Sequence, residues 1–389
     1  MLPMNPIIGR VYNIRIAGKA LFMDLQSGEQ LYFSINETSD FDTAKNGVSR
    51  GDVLEALSYE HFVTRTGHPS IKVKEFSVIK KCDVNIPLVT SKEGEDFNAL
   101  GTEITRRRRV LAWVAEPHRL QWITDRSAMV ESIRGALRDA GSVEISTPTL
   151  QPNYGGAAAE PFVTTHNALG KDFFLRISPE LYLKRLVIAG VPFVHEFATC
   201  FRNEGIDRTH NPEFTLLEVY RMGMAYQWGM EFTEMLVRLA LNMDASERFT
   251  VVSMREAVAG SGGMSDADMV RAFEDDVEPH LAERYGRFVF VTGHPASISP
   301  LAYSSDGAIA DRFELYADGM EVANGYSEQD DWRTQHAAMQ SIGNVDEDYI
   351  EDMKIGLPRT CGIGLGIDRL AMIRCGLNDI RDAIAFPAH

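Results

Sequence analysis

The chain has 389 residues, 44% hydrophobic and 24% charged, the balance of an ordinary globular protein long enough to need two cores. Lys plus Arg number 39 against 55 Asp plus Glu, a formal charge of −16, which excludes a nonspecific nucleic-acid binder and confines any RNA contact to a local patch. No apolar run approaches the ~20 residues of a membrane helix, and the start MLPMNPIIGR lacks the basic-then-apolar order of a signal peptide, so a cytoplasmic protein without membrane contact is expected. Cys82, Cys200, Cys361 and Cys375 lie far apart, form no zinc knuckle or redox motif, and are expected to be reduced and buried.

From Ile7 to about Lys81 short β-rich runs alternate with turns: IIGRVYNIRI, ALFMDLQ, EQLYFSI, DVLEALSYEHFVT and, after a Thr66-Gly67-His68-Pro69 turn, IKVKEFSVIKK. Five short strands in so few residues predict a small closed barrel, of which the OB-fold is the commonest design. Its end carries Lys72, Lys74, Lys80 and Lys81, and a second basic run spans Arg106 to Arg109; a short basic run is more often a solvated face than an RNA contact, and these two are the candidates for one. The polar stretch TSKEGEDFNALGTE reads as a linker. The expected division is an OB-fold over residues 1–90, a linker over 91–123, and a larger α+β domain over 124–389.

In that larger domain Met129, Ile133 and Leu137 recur at helical spacing, predicting a helix from Thr124 to Ala140 that Gly141 ends and that feeds the strand VEISTP. Strands and helices then mix to the C-terminus without repeats. Residues 252–290 read as a helical surface insertion with Glu274 to Asp276 in solvent and no chemistry assigned.

Two strings carry chemistry. In FRNEGIDRTHNPEFT a strand delivers Arg202, whose guanidinium fork matches phosphate or carboxylate oxygens, a polar loop follows, and Phe214 on a second strand can stack on a base. Taken singly, Arg202 reads also as a surface ion pair, Phe214 as core and Asn211-Pro212 as a turn. In CGIGLGIDRLAMIRCGLNDIRDAIAFP, Gly362, Gly364 and Gly366 alternate along a strand, baring one face to a ligand, and Arg369 heads the next helix. The glycine spacing fits neither a Rossmann fingerprint nor a P-loop.

These strings resemble motifs 2 and 3 of class II aminoacyl-tRNA synthetases, and GSVEISTPTLQP from Gly141 to Pro152 resembles motif 1. The likeness is to the lysyl-tRNA synthetase family, from about Gly9 to Pro387, and includes GGAAAEPF, LRISPELYLKRL and DRFELYADGMEVANGYSE. The resemblance implies an α+β fold: a five-stranded OB-fold barrel that binds the anticodon, then a class II catalytic domain of antiparallel sheet flanked by helices. It also implies a homodimer through motif 1, with Pro148 at the interface.

The roles that it implies are specific. Arg202 and Arg369 would be catalytic, with Glu204, His210, Asn211 and Phe214 completing the ATP site, and Phe214 and Arg369 sandwiching the adenine. Glu314 and Glu321, seven residues apart across a Gly319 turn or along one strand-like ribbon, would hold Mg2+, a hard cation content with one or two carboxylates plus phosphate. Glu218, Tyr220 and Glu328 would meet the ε-ammonium of lysine, Gly156 and Glu180 the α-amino group, and Asn324 and Arg202 the carboxylate; Tyr326 stands where the family usually has Phe. In the barrel, Phe22 and Gln30 match positions that stack on and read anticodon bases. The expected reaction is ATP-dependent activation of lysine as an adenylate and transfer to tRNA.

The chain is shorter than a typical bacterial member and departs from the pattern at Ile14, His68, Glu160 and Thr209, which replace arginine, glutamate, arginine and arginine. Two other readings stay open: a paralogue that passes lysine, β-lysine or a related amine to a protein or small molecule, as the elongation-factor-P lysyl ligases do, and a non-catalytic amino-acid or tRNA sensor. The GGAAA string and the barrel, absent from those ligases, favour the tRNA enzyme.

Overall fold

The structure, a computed structural model, describes residues 5–87, 90–92, 95–97, 100–157, 159–341 and 343–388; TSKEGEDFNALGTE and GGAAAEPF fall partly outside them. Contacts divide the chain into two units, one up to Gln121 and one from Trp122 to Ala388.

In the first unit, strict alternation does the work. In β2 (Ala20–Leu25), Leu21, Met23 and Leu25 point inward and the residues between them outward. It joins β1 (Ile7–Ala17), β3 (Gln30–Ser34), β4 (Val53–Val63) and β5 (Pro69–Lys80) in a closed barrel of order β1-β2-β3-β5-β4. The barrel fills with Val11, Met23, Phe33, Leu54 and Val73, and all five expected strands are present. The stretch taken for a linker is not featureless: Thr102–Arg107 and Arg109–Ala115 are short helices. The basic candidates are largely spoken for. Lys72 pairs with Glu37, Lys74 with Glu60 and Lys81 with Asp52, and Arg109 is buried.

The second unit is built on one sheet. Helix α1 (His118–Asp139) begins six residues before the expected start at Thr124, buries Met129, Ile133 and Leu137, and ends where Gly141 takes φ +85°. Eight strands follow: β6 (Val143–Glu144), β7 (Phe193–Phe201), β8 (Glu213–Met222), β9 (Phe249–Ser253), β10 (Phe288–Thr292), β11 (Arg312–Ala317), β12 (Met320–Ser327) and β13 (Thr360–Gly366). Their order is β9-β10-β11-β12-β13-β8-β7-β6. The middle six are antiparallel, and both edge pairs, β9 with β10 and β6 with β7, are parallel. Helices α2 (Glu180–Ile188), α3 (Tyr226–Leu241), α4 (Asp266–Asp276), α5 (Glu347–Gly356) and α6 (Ile367–Cys375) surround it. The main core packs α1, α3 and α6 against the sheet, through Ile133, Phe232, Leu236, Leu217, Ile363 and Leu370.

Residues 252–290 are not wholly a helical insertion. Their ends belong to the edge strand β9 and its neighbour β10, and α4 lays Met269 and Phe273 on Val252, Val289 and Val291. The apolar runs FTVVS and FVFVT are short enough to be read either way, and pairing with the sheet decides it. Glu274 to Asp276 are exposed, as expected.

On β7, directly opposite Glu218, Glu196 forms with Arg176 an ion pair of 2.6 Å whose side chains are 4% and 6% exposed, and both also bond Thr147 of the motif 1 segment. Replacing Glu196 with alanine strands a buried guanidinium, so Glu196→Ala is expected to lose ~3–5 kcal/mol in urea unfolding of this unit. An unchanged midpoint would contradict that reading.

Candidate active site

Hydrogen bonding along the central strands brings the two chemistry-bearing strings side by side. β8 pairs with β13, so Glu218 lies opposite Gly364 and Tyr220 opposite Gly362, while β12 pairs with β13 on its other edge, placing Tyr326 opposite Gly362. The glycines leave the floor of a cleft of about 520 Å³. Of the residues expected at the ATP, metal and amino-acid sites, all but Glu328 line this one cleft: Arg202, Glu204, His210, Asn211, Phe214, Arg369, Glu314, Glu321, Gly156, Glu180, Glu218, Tyr220, Asn324 and Tyr326.

Arg202 follows the last residue of β7, its backbone N–H bonded to the Pro212 carbonyl at 2.9 Å. Its Nε is buried without a partner, an unspent donor, and its guanidinium lies 5.1 Å from the Phe214 ring centroid. Arg369 projects from the first turn of α6. It donates to the Glu321 carbonyl at 2.7 Å and meets His210 Nε2 at 3.0 Å, and the aspartate before it anchors the turn. That Asp368 is buried, accepts two bonds from Arg126 of α1, and takes the Thr215 N–H at 2.7 Å. Sequence reasoning passed over Arg126 because nothing near it in the chain marks it; only the fold brings it to Asp368.

Glu314 and Glu321 sit on the hairpin β11–β12, whose two-residue loop, Asp318-Gly319, has both φ angles positive. Burial opposes ionisation of Glu314, but His294, Arg312 and Tyr316 outweigh it and hold the carboxyl at about 2. Burial and the charge of Glu314 push Glu321 upward. Glu278, from the segment given no chemistry, is pushed up to about 7 by its own burial and then by the charges of Glu314 and Glu321, though it does not line the cleft. Among the described residues no three metal-ligating side chains gather into a cage. A hard cation that takes its remaining ligands from phosphate and water needs only one or two carboxylates.

The second acidic group is buried more deeply. Glu218 accepts bonds from Ser178 at 2.6 Å and Tyr220 at 2.8 Å, yet burial, and then the charge of Glu180, push its carboxyl up to about 8. Glu180 accepts from Tyr326 at 2.9 Å. Glu328 does not line the cleft as expected. It is 2% exposed beside Gly362, its Oε2 paired with Lys184 and its Oε1 without a partner. Lys184 itself was missed, because a lysine in a helix reads as a surface residue unless its partners are known.

Two glycines are dictated by space. Gly156 has φ +84°, and a Cβ there would lie 2.8 Å from Glu180 Cβ; a Cβ on Gly362 would strike Glu328 Oε1 and lie 2.6 Å from Tyr220 Cε1.

In the first unit, Phe22, Tyr32 and Phe62 form a ladder of half-buried rings with centroids 5.2 Å apart at each step. A bulge in β1 shifts its register between Val11 and Asn13, so Arg15 lies opposite Phe22, its guanidinium 5.8 Å from that ring, while Ile14 lies opposite Met23. The pattern search saw only the missing arginine at Ile14. Gln30 is not free to read a base as expected: it is buried, its amide bonded to Asp24 at 2.8 Å and Ser70 at 2.9 Å. His68 is exposed at the loop tip, bonded to the Pro69 carbonyl.

Residues 101–389 match the family described as tRNA synthetases class II (D, K and N). The chain belongs to the class II tRNA synthetases. Over 98% of its length this synthetase is 36% identical to a lysine–tRNA ligase of Helicobacter pylori (strain 26695), covering 85% of that protein. It is 36% identical to the Wolinella succinogenes lysine–tRNA ligase over the same shares. Against that of Campylobacter jejuni subsp. doylei the identity is 34%, over 98% of this chain and 86% of the other. Among the described residues no helix is long and apolar enough to cross a membrane.

The glycine strand of this synthetase gives an internal control. Gly362→Ala is expected to cost ~1–3 kcal/mol by overpacking, whereas Gly364→Ala, whose Cβ would find nothing closer than 3.8 Å, is expected to leave the melting temperature unchanged. Equal shifts would show that the bare face is not shaped by Glu328 and Tyr220.

Proposed function

We propose that this synthetase activates lysine with ATP as lysyl-adenylate and transfers it to tRNA in the cytoplasm. The observation that carries the reading is a buried set of carboxylates, Glu180 and Glu218, in the same cleft as the free guanidinium face of Arg202 and the tethered Arg369. A selective lysine pocket needs carboxylates that become stable as anions only when an ammonium arrives. Glu218 and Tyr220 receive the ε-ammonium, with Glu328 supporting them from beside Gly362, and Gly156 and Glu180 receive the α-amino group. Asn324 and Arg202 hold the carboxylate.

In the reaction a carboxylate oxygen of lysine bonds to the α-phosphorus in line, the bond from that phosphorus to the leaving oxygen breaks, and pyrophosphate departs. Arg202 spans the attacking carboxylate and the α-phosphate, and Arg369 meets the γ-phosphate. Phe214 and Arg369 enclose the adenine, and Glu204, His210 and Asn211 complete the nucleotide site. Catalysis is positioning and charge stabilisation, and no side-chain nucleophile takes part. Glu314 and Glu321 would hold Mg2+, which supplies charge neutralisation on the phosphates when bound. A tRNA hydroxyl then attacks the lysyl carbonyl and releases AMP.

The barrel is proposed as the anticodon-binding part, with the Phe22 ladder as the stacking surface, over residues 1–90 of the division given above. Homodimerisation through residues 141–152 is supported by exposed apolar Val143 and Leu150 flanking exposed Pro148.

Lysine-dependent exchange of pyrophosphate into ATP tests the activation step, and its absence would end the proposal. The pH dependence tests the pocket. An empty-site carboxyl at about 8 must give up its proton to meet an ammonium, so the lysine KM is expected to fall as pH rises from 6 to 8, by at most ~10-fold per pH unit and proton. A KM flat across that range would contradict the assignment of Glu218. Phe22→Ala is expected to lower kcat/KM for tRNA by the equivalent of ~1–3 kcal/mol while leaving pyrophosphate exchange intact. Unchanged charging would remove the ladder from the tRNA interface.

A further inference from the structure

The amino-acid pocket contains a cation of its own. Lys184, one turn along α2 from Glu180, has a side chain with 0% exposure. Its ammonium is bonded to Glu180 Oε1 and paired with Glu328 Oε2, and it lies 5.8 Å from the Tyr326 ring centroid. The other oxygen of Glu180 accepts the Tyr326 hydroxyl at 2.9 Å. Both oxygens of that carboxylate thus carry an internal donor before any ligand arrives. Glu218, by contrast, has only the hydroxyls of Ser178 and Tyr220.

We propose that Lys184 and Tyr326 are positioning residues that preset the α-amino end of the pocket, Lys184 as its built-in counter-charge and Tyr326 as the second clamp on Glu180. The inference rests on the lysine-activation reading and says how its two ends differ. The head end is charged and aimed in advance, whereas the tail end takes its charge when the ε-ammonium binds. A buried carboxylate with no cation beside it takes up a proton instead. Lys184 is the cation beside Glu180: burial alone would lower the lysine's own pKa, but Glu180 and Glu328 raise it well above the usual value. The hydroxyl at position 326, where phenylalanine is usual in the family that the sequence resembles, is the donor a phenyl ring cannot supply.

The titratable groups facing this pair come from each packed element: Glu218 and Tyr220 from β8, Tyr326 from β12 with Glu328 just beyond it, and Tyr349 from α5. Arg185, next on α2, is engaged with Asp346 and Asp352.

The test is pyrophosphate exchange from pH 6 to 8 with wild type, Lys184→Met and Tyr326→Phe. Lys184→Met is expected to raise the lysine KM about tenfold or more at pH 7 with the ATP KM within about twofold, and to make the lysine KM fall more steeply with pH, because a buried carboxylate cluster that loses its internal cation binds protons more readily. Tyr326→Phe, which keeps the ring and its packing, is expected to move the lysine KM a few-fold in the same direction, again without the ATP KM. Should Lys184→Met fail to fold, Tyr326→Phe decides alone. Lysine KM profiles parallel to wild type, or lysine and ATP KM rising together, would overturn the proposal. A wild-type enzyme with no lysine-dependent exchange would instead defeat the reading on which it rests.

Discussion

Burying carboxylates without enough cations to match them is the constraint from which the rest of this site follows. Glu180, Glu218 and Glu328 are each under 5% exposed, and Lys184 is the buried cation among them. Such a group is unfavourable when empty, because ionised acids in a low-dielectric interior repel and desolvate one another. It becomes favourable when a ligand brings ammonium groups. Selectivity for a diamino acid is then a property of the pocket's charge as much as of its shape.

The nucleotide wall solves the opposite problem. Here Arg312 helps keep Glu314 ionised, Arg369, Arg312 and Arg202 offset part of the upward push on Glu321, and the guanidinium groups of Arg312 and Arg369 are themselves hydrogen-bonded in place. Arg369 is tied to His210 and to the Glu321 carbonyl, and the Arg126–Asp368–Thr215 network fixes the turn from which it projects. A group that must stabilise charge during the reaction gains most when it does not reorganise, and this network supplies that rigidity from outside the cleft. The antiparallel pairing of β8, β13 and β12 is what places both walls over one bare strand.

Much of this was legible in the sequence, for identifiable reasons. Five alternating runs gave the barrel because a half-buried strand has period two, and Met129, Ile133 and Leu137 gave α1 because they repeat at helical spacing. The motif strings gave the cleft because each keeps its glycines and charges in a fixed order. What escaped depends on long-range placement. Residues 252–290 hid the ends of two sheet strands, since short apolar runs read alike as helix or strand until they pair. Lys184, Arg126 and Glu278 bear ordinary surface identities, and only the fold gives them buried or acidic partners. The β1 bulge, which places Arg15 opposite Phe22 while Ile14 faces Met23, has no signature in composition at all.

A pocket whose buried Glu218 carboxyl is pushed up to about 8 must release protons when lysine binds. Calorimetric titration of lysine at pH 7 in two buffers of different ionisation enthalpy counts those protons directly. The account predicts a net release, since the ligand's ammonium groups are already charged and the enzyme's carboxyls are not all ionised. Identical heats in both buffers, or net proton uptake, would contradict it.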